Sequence, residues 1–171
     1  MKLIVAMKQL KDLAKKAEDL RGKVATNCSN LSIETLAYPD QAATVAGWLQ
    51  AHEDLLDKIL ELRIALQRTN IVTPVTIELE GRQVTKTIAA WIQRRRDLAK
   101  LAQQMWAGLG DRNLKETNVQ SAPGGAITEV RIRRFFNPVQ RDEKVAAYRS
   151  EPSIIDANLE IINAVTDLIE S

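Results

Sequence analysis

Between Leu3 and Val24 the apolar residues Leu3, Leu10, Leu13, Ala17, Leu20 and Val24 recur at steps of three, four and seven, with Lys, Asp and Glu at most positions between. Those steps place the side chains on one narrow stripe of an α-helix, a heptad seam rather than a broad face. The spacing predicts a helix from about Leu3 to Thr26. Asn27-Cys28-Ser29-Asn30 ends it, and the stretch to Pro39 reads as a loop. Asp40 then has the chemistry of an N-cap for a second helix, from Gln41 to about Arg68. Here Val45, Trp48, Leu49, His52, Leu55, Leu56, Ile59, Leu62 and Leu66 repeat the spacing. The helices would be roughly 35–42 Å long at about 1.5 Å per residue. Two seams of similar length predict an antiparallel helical hairpin over residues 3–68.

Beyond Thr69-Asn70, read as the stop of the second helix, the period changes. Val75, Ile77 and Leu79 alternate with Thr76, Glu78 and Glu80; Gly81 turns and Val84 returns, a β-hairpin within 72–85. Thr85 is the expected N-cap of a third helix over 86–107, with Ile88, Trp91, Ile92, Arg95, Leu98, Ala102, Met105 and Trp106 on one side and Gly108 and Gly110 closing it. Residues 111–126, including Ser121-Ala122-Pro123-Gly124-Gly125, read as a long loop, and Ile127–Phe136 as a third strand (127–136) beside the hairpin. Asn137-Pro138 breaks that strand. A short helix from about Arg141 to Arg149 and a final one from Pro152 through Ile169 make up the C-terminal helices, 141–169, with Ile155, Leu159, Ile162, Val165 and Ile169 as the last seam. The expected class is mainly α: a long-helix bundle, built of the antiparallel helical hairpin plus third and C-terminal helices, with a small antiparallel β-sheet of about three strands, in a single domain over 1–171.

Composition agrees. Aromatic residues are only 4%, so the core must be aliphatic, and the low counts of Gly (7) and Pro (5) leave few turns and therefore long elements. Lys plus Arg (24) nearly balances Asp plus Glu (22), and a net charge of +2 argues against nucleic acid or an anionic membrane surface as partner. The single Cys28 excludes an intramolecular disulfide and a cysteine-rich metal site. The apolar run after Lys2 is shorter than a secretory core, and no apolar stretch approaches 18 residues, so no transmembrane segment is expected. Cytoplasmic residence, or a place within an assembled particle, is the default.

Several short patterns resemble the septicolysin-like family, small and largely uncharacterised bacterial proteins with helical cores. Met1-Lys2-Leu3 runs directly into an amphipathic helix, and Arg68-Thr69-Asn70 closes the second helix as an Arg-Thr-Asn element does in that family. Gly81, Val84-Thr85 and Ala89 through Arg94-Arg95-Arg96-Asp97-Leu98 look like its glycine turn followed by an Arg-Arg-Asp helix. Asp156-Ala157-Asn158-Leu159-Glu160, Asn163 and Thr166-Asp167-Leu168 look like its closing helix. The chain departs from the pattern at Pro152, which interrupts a usually continuous helix, and at Ala164, where the family tends to have Trp. The resemblance implies a divergent member, and the family name implies a cytolysin. It brings no catalytic residue and no cofactor.

The residues able to carry chemistry have plainer roles. His52, the only histidine, lies on the seam of the second helix without the partners a zinc site needs, which makes it a packed or interface residue. Glu53, Asp57 and Glu61 stand at i, i+4 and i+8, but Lys58 lies within helical reach of Asp54 and Glu61, as on a charge-compensated face. Arg94, Arg95 and Arg96 fan around a helix and make no single patch; Arg95 falls on the apolar side and should pair with a carboxylate inside the fold or across an interface. On the expected strand Arg131, Arg133 and Phe135 share one face, which has the chemistry of a nucleic-acid or anion surface but is better suited to Glu78, Glu80 or a partner subunit. No phosphate-binding loop, dinucleotide fingerprint or nucleophile elbow occurs.

With no catalytic constellation and no cofactor or metal site, the residues favour a non-enzymatic, self-associating helical protein, with a virion or scaffold component as one version. Its partners are itself and other assembly proteins, and the interface candidates are Trp48, His52, Trp91, Arg95, Arg131, Arg133, Phe135 and Phe136. One alternative is a membrane-acting pore former built on the alternating segment Val75–Val84, although a spanning strand needs about 9–11 residues. The other is a metal-dependent enzyme using the Glu53/Asp57/Glu61 stripe. Because a bound ion stabilises the folded state by mass action, calcium, zinc or a chelator is expected to leave the melting temperature unchanged; a rise with one ion would restore the stripe as a metal site.

Overall fold

The computed structural model describes residues 1–120 and 123–169; Ser121 and Ala122 of the expected loop lie outside them. The protein is mainly α-helical. In chain order it comprises α1 (Leu3–Asn27), α2 (Gln41–Val72), β1 (Pro74–Leu79), β2 (Arg82–Thr87), α3 (Ile88–Gln93), a π-helical turn (Arg94–Leu98), α4 (Ala99–Ala107), β3 (Thr117–Gln120), β4 (Ile127–Val130) and α5 (Pro138–Val165). These residues gather into two compact units. One holds Met1–Val75, Lys86–Ala89 and the described residues from Leu159 on; the other holds Thr76–Thr85 and Ala90–Asn158.

The first unit is organised by the α1–α2 hairpin. Its seam on α1 is Leu3, Ala6, Leu10, Leu13, Ala17, Leu20, Val24 and Asn27; on α2 it is Val45, Trp48, His52, Leu55, Ile59, Leu62, Leu66 and Thr69, and none of these is exposed. The steps alternate three and four, as knobs-into-holes packing requires. The helices run antiparallel: Gln41 Nε2 donates to the Asn27 carbonyl at 2.8 Å at one end, and at the other Gln9 and Leu13 face Leu62 and Ala65. Asp40 caps α2 as its side chain predicts, its Oδ1 accepting from the Ala43 N–H at 2.9 Å. Burial is deepest at the α1 start and α2 end, where Leu3, Ala6 and Thr69 are at most 1% exposed.

A backbone clasp closes that deep end. The Leu3 N–H donates to the Thr166 carbonyl at 2.9 Å, and the Leu168 N–H donates to the Met1 carbonyl at 2.6 Å. Lys2 Nζ donates to the Val165 carbonyl (2.7 Å) and to Asp167 (2.8 Å), which holds the Asp167 carboxyl below its usual range. Thr69 does not stop α2. Its hydroxyl donates to the Ala65 carbonyl (2.8 Å) and accepts from the Ile169 N–H (2.9 Å), so the hydroxyl is satisfied within the core and α2 continues to Val72.

In the β-hairpin, Glu80 (φ 51°) and Gly81 (φ 72°) form the two-residue turn, both left-handed as a type I′ turn needs. Val75 and Ile77 are buried on the alternating face expected of β1. Thr85 is not a helix cap. Its hydroxyl pairs with that of Thr76 across the ladder at 2.7 Å, so β2 runs to Thr87 and the helix starts at Ile88. The expected sheet of about three strands is two separate two-stranded sheets, β1–β2 and β3–β4. Ile127 does not join the first hairpin because Thr117–Gln120 supplies a nearer antiparallel partner, with Thr117 opposite Val130 and Gln120 opposite Ile127. The strand ends at Val130, well before Phe136.

Two helical expectations also change. The π turn adds residues to one helical turn and rotates the residues beyond it about the helix axis: Ala99 is buried, whereas Leu98 and Met105, expected on the packed side, are exposed. The C-terminal helices are one helix. Asn137 Oδ1 accepts from the Val139 N–H at 2.9 Å and caps it, Pro138 takes the first helical position, and α5 passes through Pro152 without ending. An interior proline loses one helical hydrogen bond and costs about 3 kcal/mol; burial of Glu151, Ile155 and Leu159 around it offsets that cost.

Ile59 sits at the middle of the seam and is 6% exposed. Ile59→Ala is expected to destabilise the protein by about 2–5 kcal/mol, read from denaturant unfolding, because the helices cannot collapse fully onto the cavity. An unchanged midpoint would show that the seam does not hold the hairpin.

Candidate interaction surface

Outside its seam, α2 carries a second apolar stripe. Leu49, Leu56, Leu60, Ile64 and Ile71 are between 46% and 61% exposed. At about 100° per residue they fall within a sector of about 80°, rotated by roughly 115° from the centre of the seam. Single exposed leucines need no explanation, whereas five apolar residues in one sector, broken only by Glu53 and Gln67, make a candidate interaction surface. The spacing alone assigns Leu49 and Leu56 to the seam; the structure places them on this outer stripe, because the strict three-four alternation runs through His52, Leu55 and Ile59 instead. Glu53 lies within the stripe and Asp57 and Glu61 along its edge, all exposed.

The predicted interface residues fall into separate places. Trp48 is half-buried and meets Tyr38 edge-on, with ring centroids 5.2 Å apart. His52 is half-buried in the seam. Near it the Glu18 carboxyl is held below its usual range, chiefly by hydrogen bonds from Arg21 and least by His52. Trp91 is 0% exposed, so it has no surface to lose and is corrected to a core residue. Arg95 is paired with Asp156 within the chain, one of the two outcomes expected of it.

The Arg131–Phe136 group is not a strand face, because β4 ends at Val130. Arg131 pairs with Glu129 at 2.7 Å, Arg133 is exposed, and Phe135 is 90% exposed. Phe136 is half-buried with the Arg141 guanidinium 5.7 Å above its ring. Neither glutamate proposed as their counterpart takes that role: Glu80 binds Lys144 at 2.7 Å and keeps its ammonium protonated to higher pH, while Glu78 accepts from Gln83 at 3.1 Å.

Sequence reasoning missed the ion pair at the π turn. Arg94 Nε and Nη2 donate to the two oxygens of Glu151 at 2.5 and 2.9 Å, with Tyr148 under the guanidinium at 5.3 Å. The Glu151 side chain is only 5% exposed, and the pairing raises the Arg94 pKa. No local signal announces this contact, since its partners lie 57 residues apart. Among the described residues no cluster of three or more His, Cys, Asp or Glu is suited to a metal ion, and no helix is long and apolar enough to cross a membrane. A cleft of about 270 Å³ at the α1–α2 hairpin is lined by Gln9, Leu13, Lys58 and Glu61 among others.

No protein-family model matches the chain, and neither does any curated protein or solved structure.

Removing one partner of a buried pair strands the other charge. Arg94→Ala is therefore expected to cost about 3–5 kcal/mol in denaturant unfolding, and a further Glu151→Leu change to recover much of it. Equal stability of the single and double variants would show that Glu151 is not confined by the fold.

Proposed function

We propose that this chain is a non-enzymatic, self-associating helical protein, a building block of a scaffold or virion type of assembly, and that it docks through the outer stripe of α2. One observation carries the reading: Leu49, Leu56, Leu60, Ile64 and Ile71 form an exposed apolar row, interrupted by Glu53 and Gln67, on a helix whose other apolar row is already packed against α1. Burying a fully exposed leucine contributes about 1.5–3 kcal/mol, and these side chains, already about half buried, would each contribute about half of that to association. Homo-oligomers of closed symmetry are the commonest soluble assemblies, and they need one self-complementary patch only. The buried carboxylate Glu151 is committed to Arg94, which suits a structural rather than a catalytic role. Kinship with septicolysin-like proteins belongs to the same proposal and adds no catalytic residue to it.

Light scattering coupled to size exclusion tests the reading. At micromolar concentration the expected mass is a multiple of 19.1 kDa. Leu56→Glu combined with Leu60→Glu should return it to the single-chain mass with helical circular dichroism retained. A single-chain mass for the unaltered protein would overturn the proposal.

A further inference from the structure

The neck of the β3–β4 arm carries more cations than its own carboxylates neutralise. Two legs of chain run side by side there. Thr117 stands opposite Val130, the Ile132 N–H donates to Glu116 at 3.3 Å, and Arg134 Nε and Nη2 donate to the two oxygens of Asp111. The legs hold five cations, Arg112, Lys115, Arg131, Arg133 and Arg134, against the three carboxylates Asp111, Glu116 and Glu129. That local excess equals the net charge of the whole chain, +2, so the near balance of the total hides a basic segment. All three carboxylates are committed, Asp111 to Arg134, Glu129 to Arg131 and Glu116 to the Ile132 N–H. Arg112, Lys115 and Arg133 are exposed, and none of them forms an ion pair among the described residues. Arg112 also holds a left-handed backbone (φ 54°) in the turn Asp111–Leu114, an uncommon conformation for a residue with a long side chain.

An aromatic ring stands with these charges. Along the second leg Arg131, Arg133 and Phe135 are exposed while Ile132 and Phe136 are half-buried, and Phe135 is 90% exposed. The glutamates that the sequence offers as counterparts are engaged elsewhere, Glu78 by Gln83 and Glu80 by Lys144. We propose that this neck binds single-stranded nucleic acid, with Arg112, Lys115 and Arg133 on phosphates and Phe135 stacked on a base. Cations track the backbone of such a strand, and every unpaired base offers a π-face to a protruding ring. A duplex keeps its bases stacked inside and leaves Phe135 unused. An anionic bilayer calls for a broad apolar face beneath the cations, whereas Phe135 follows directly on Arg133 and Arg134. The proposal stands independently of self-association.

Fluorescence anisotropy of a labelled single strand of about 12 nucleotides tests it on the full chain. Binding is expected at low salt, with log affinity falling against log salt at a slope of about −2, the value for three phosphate contacts at about −0.7 each. Phe135→Ala should weaken binding about tenfold and leave that slope unchanged. Lys115→Glu combined with Arg133→Glu should abolish binding with helical circular dichroism retained, since both side chains are exposed. The duplex of the same sequence and vesicles of anionic lipid should bind more weakly than the single strand. No binding at low salt, an unchanged affinity in Phe135→Ala, or equal or tighter binding to the duplex or the vesicles would overturn the proposal.

Discussion

Everything in the first unit depends on the burial of one aliphatic seam between α1 and α2. Neither helix can satisfy that seam alone, and isolated helices gain little from propensity without a packed face. Packing α1 against α2 through Leu3, Ala6, Ala17, Ile59, Leu62 and Leu66 fixes their rotation about their own axes. That rotation decides which other residues are left facing solvent. The outer stripe is thus a consequence of the seam: once His52, Leu55 and Ile59 turn inward, Leu56 and Leu60 must turn out.

The ends of the hairpin are held by different physics. At the deep end, main-chain hydrogen bonds join Leu3 to Thr166 and Leu168 to Met1, with Lys2 set against the last carbonyl of α5. A cation there complements the negative end of the helix dipole. At the other end a single side-chain bond from Gln41 to the Asn27 carbonyl joins the helices, and residues 28–40 are exposed throughout. The hairpin is therefore anchored at one end and open at the other.

The second unit combines apolar burial with charge pairs that position its elements. Arg94 and Glu151 bind in the bidentate geometry that gives an ion pair its directionality. Arg95–Asp156, Arg134–Asp111 and Lys144–Glu80 add pairs nearer solvent, where screening leaves each with little stability and mostly a role in positioning. Trp91, Ala99 and Ile155 supply the apolar part.

The sequence by itself determined what depends on near neighbours in the chain. The three-and-four spacing specified both long helices, Asp40 set the start of α2, the alternation at Val75 and Ile77 gave β1, and Gly81 gave its turn. Each is a periodic or capping signal read within a few residues. Tertiary structure alone decided the rest. Pro152 is a helix breaker by local chemistry, yet α5 runs through it because buried neighbours hold the helix on both sides. Ile127–Val130 has strand propensity, but propensity does not say which strand it joins. The π turn at Arg94–Leu98 carries no local signal, and Arg94 at its start pairs with a carboxylate 57 residues along the chain. On α2, Leu49 and Leu56 fit a heptad almost as well as their neighbours; only packing against α1 separated the seam from the outer stripe, since periodicity fixes how many faces a helix has and contact fixes which one is buried.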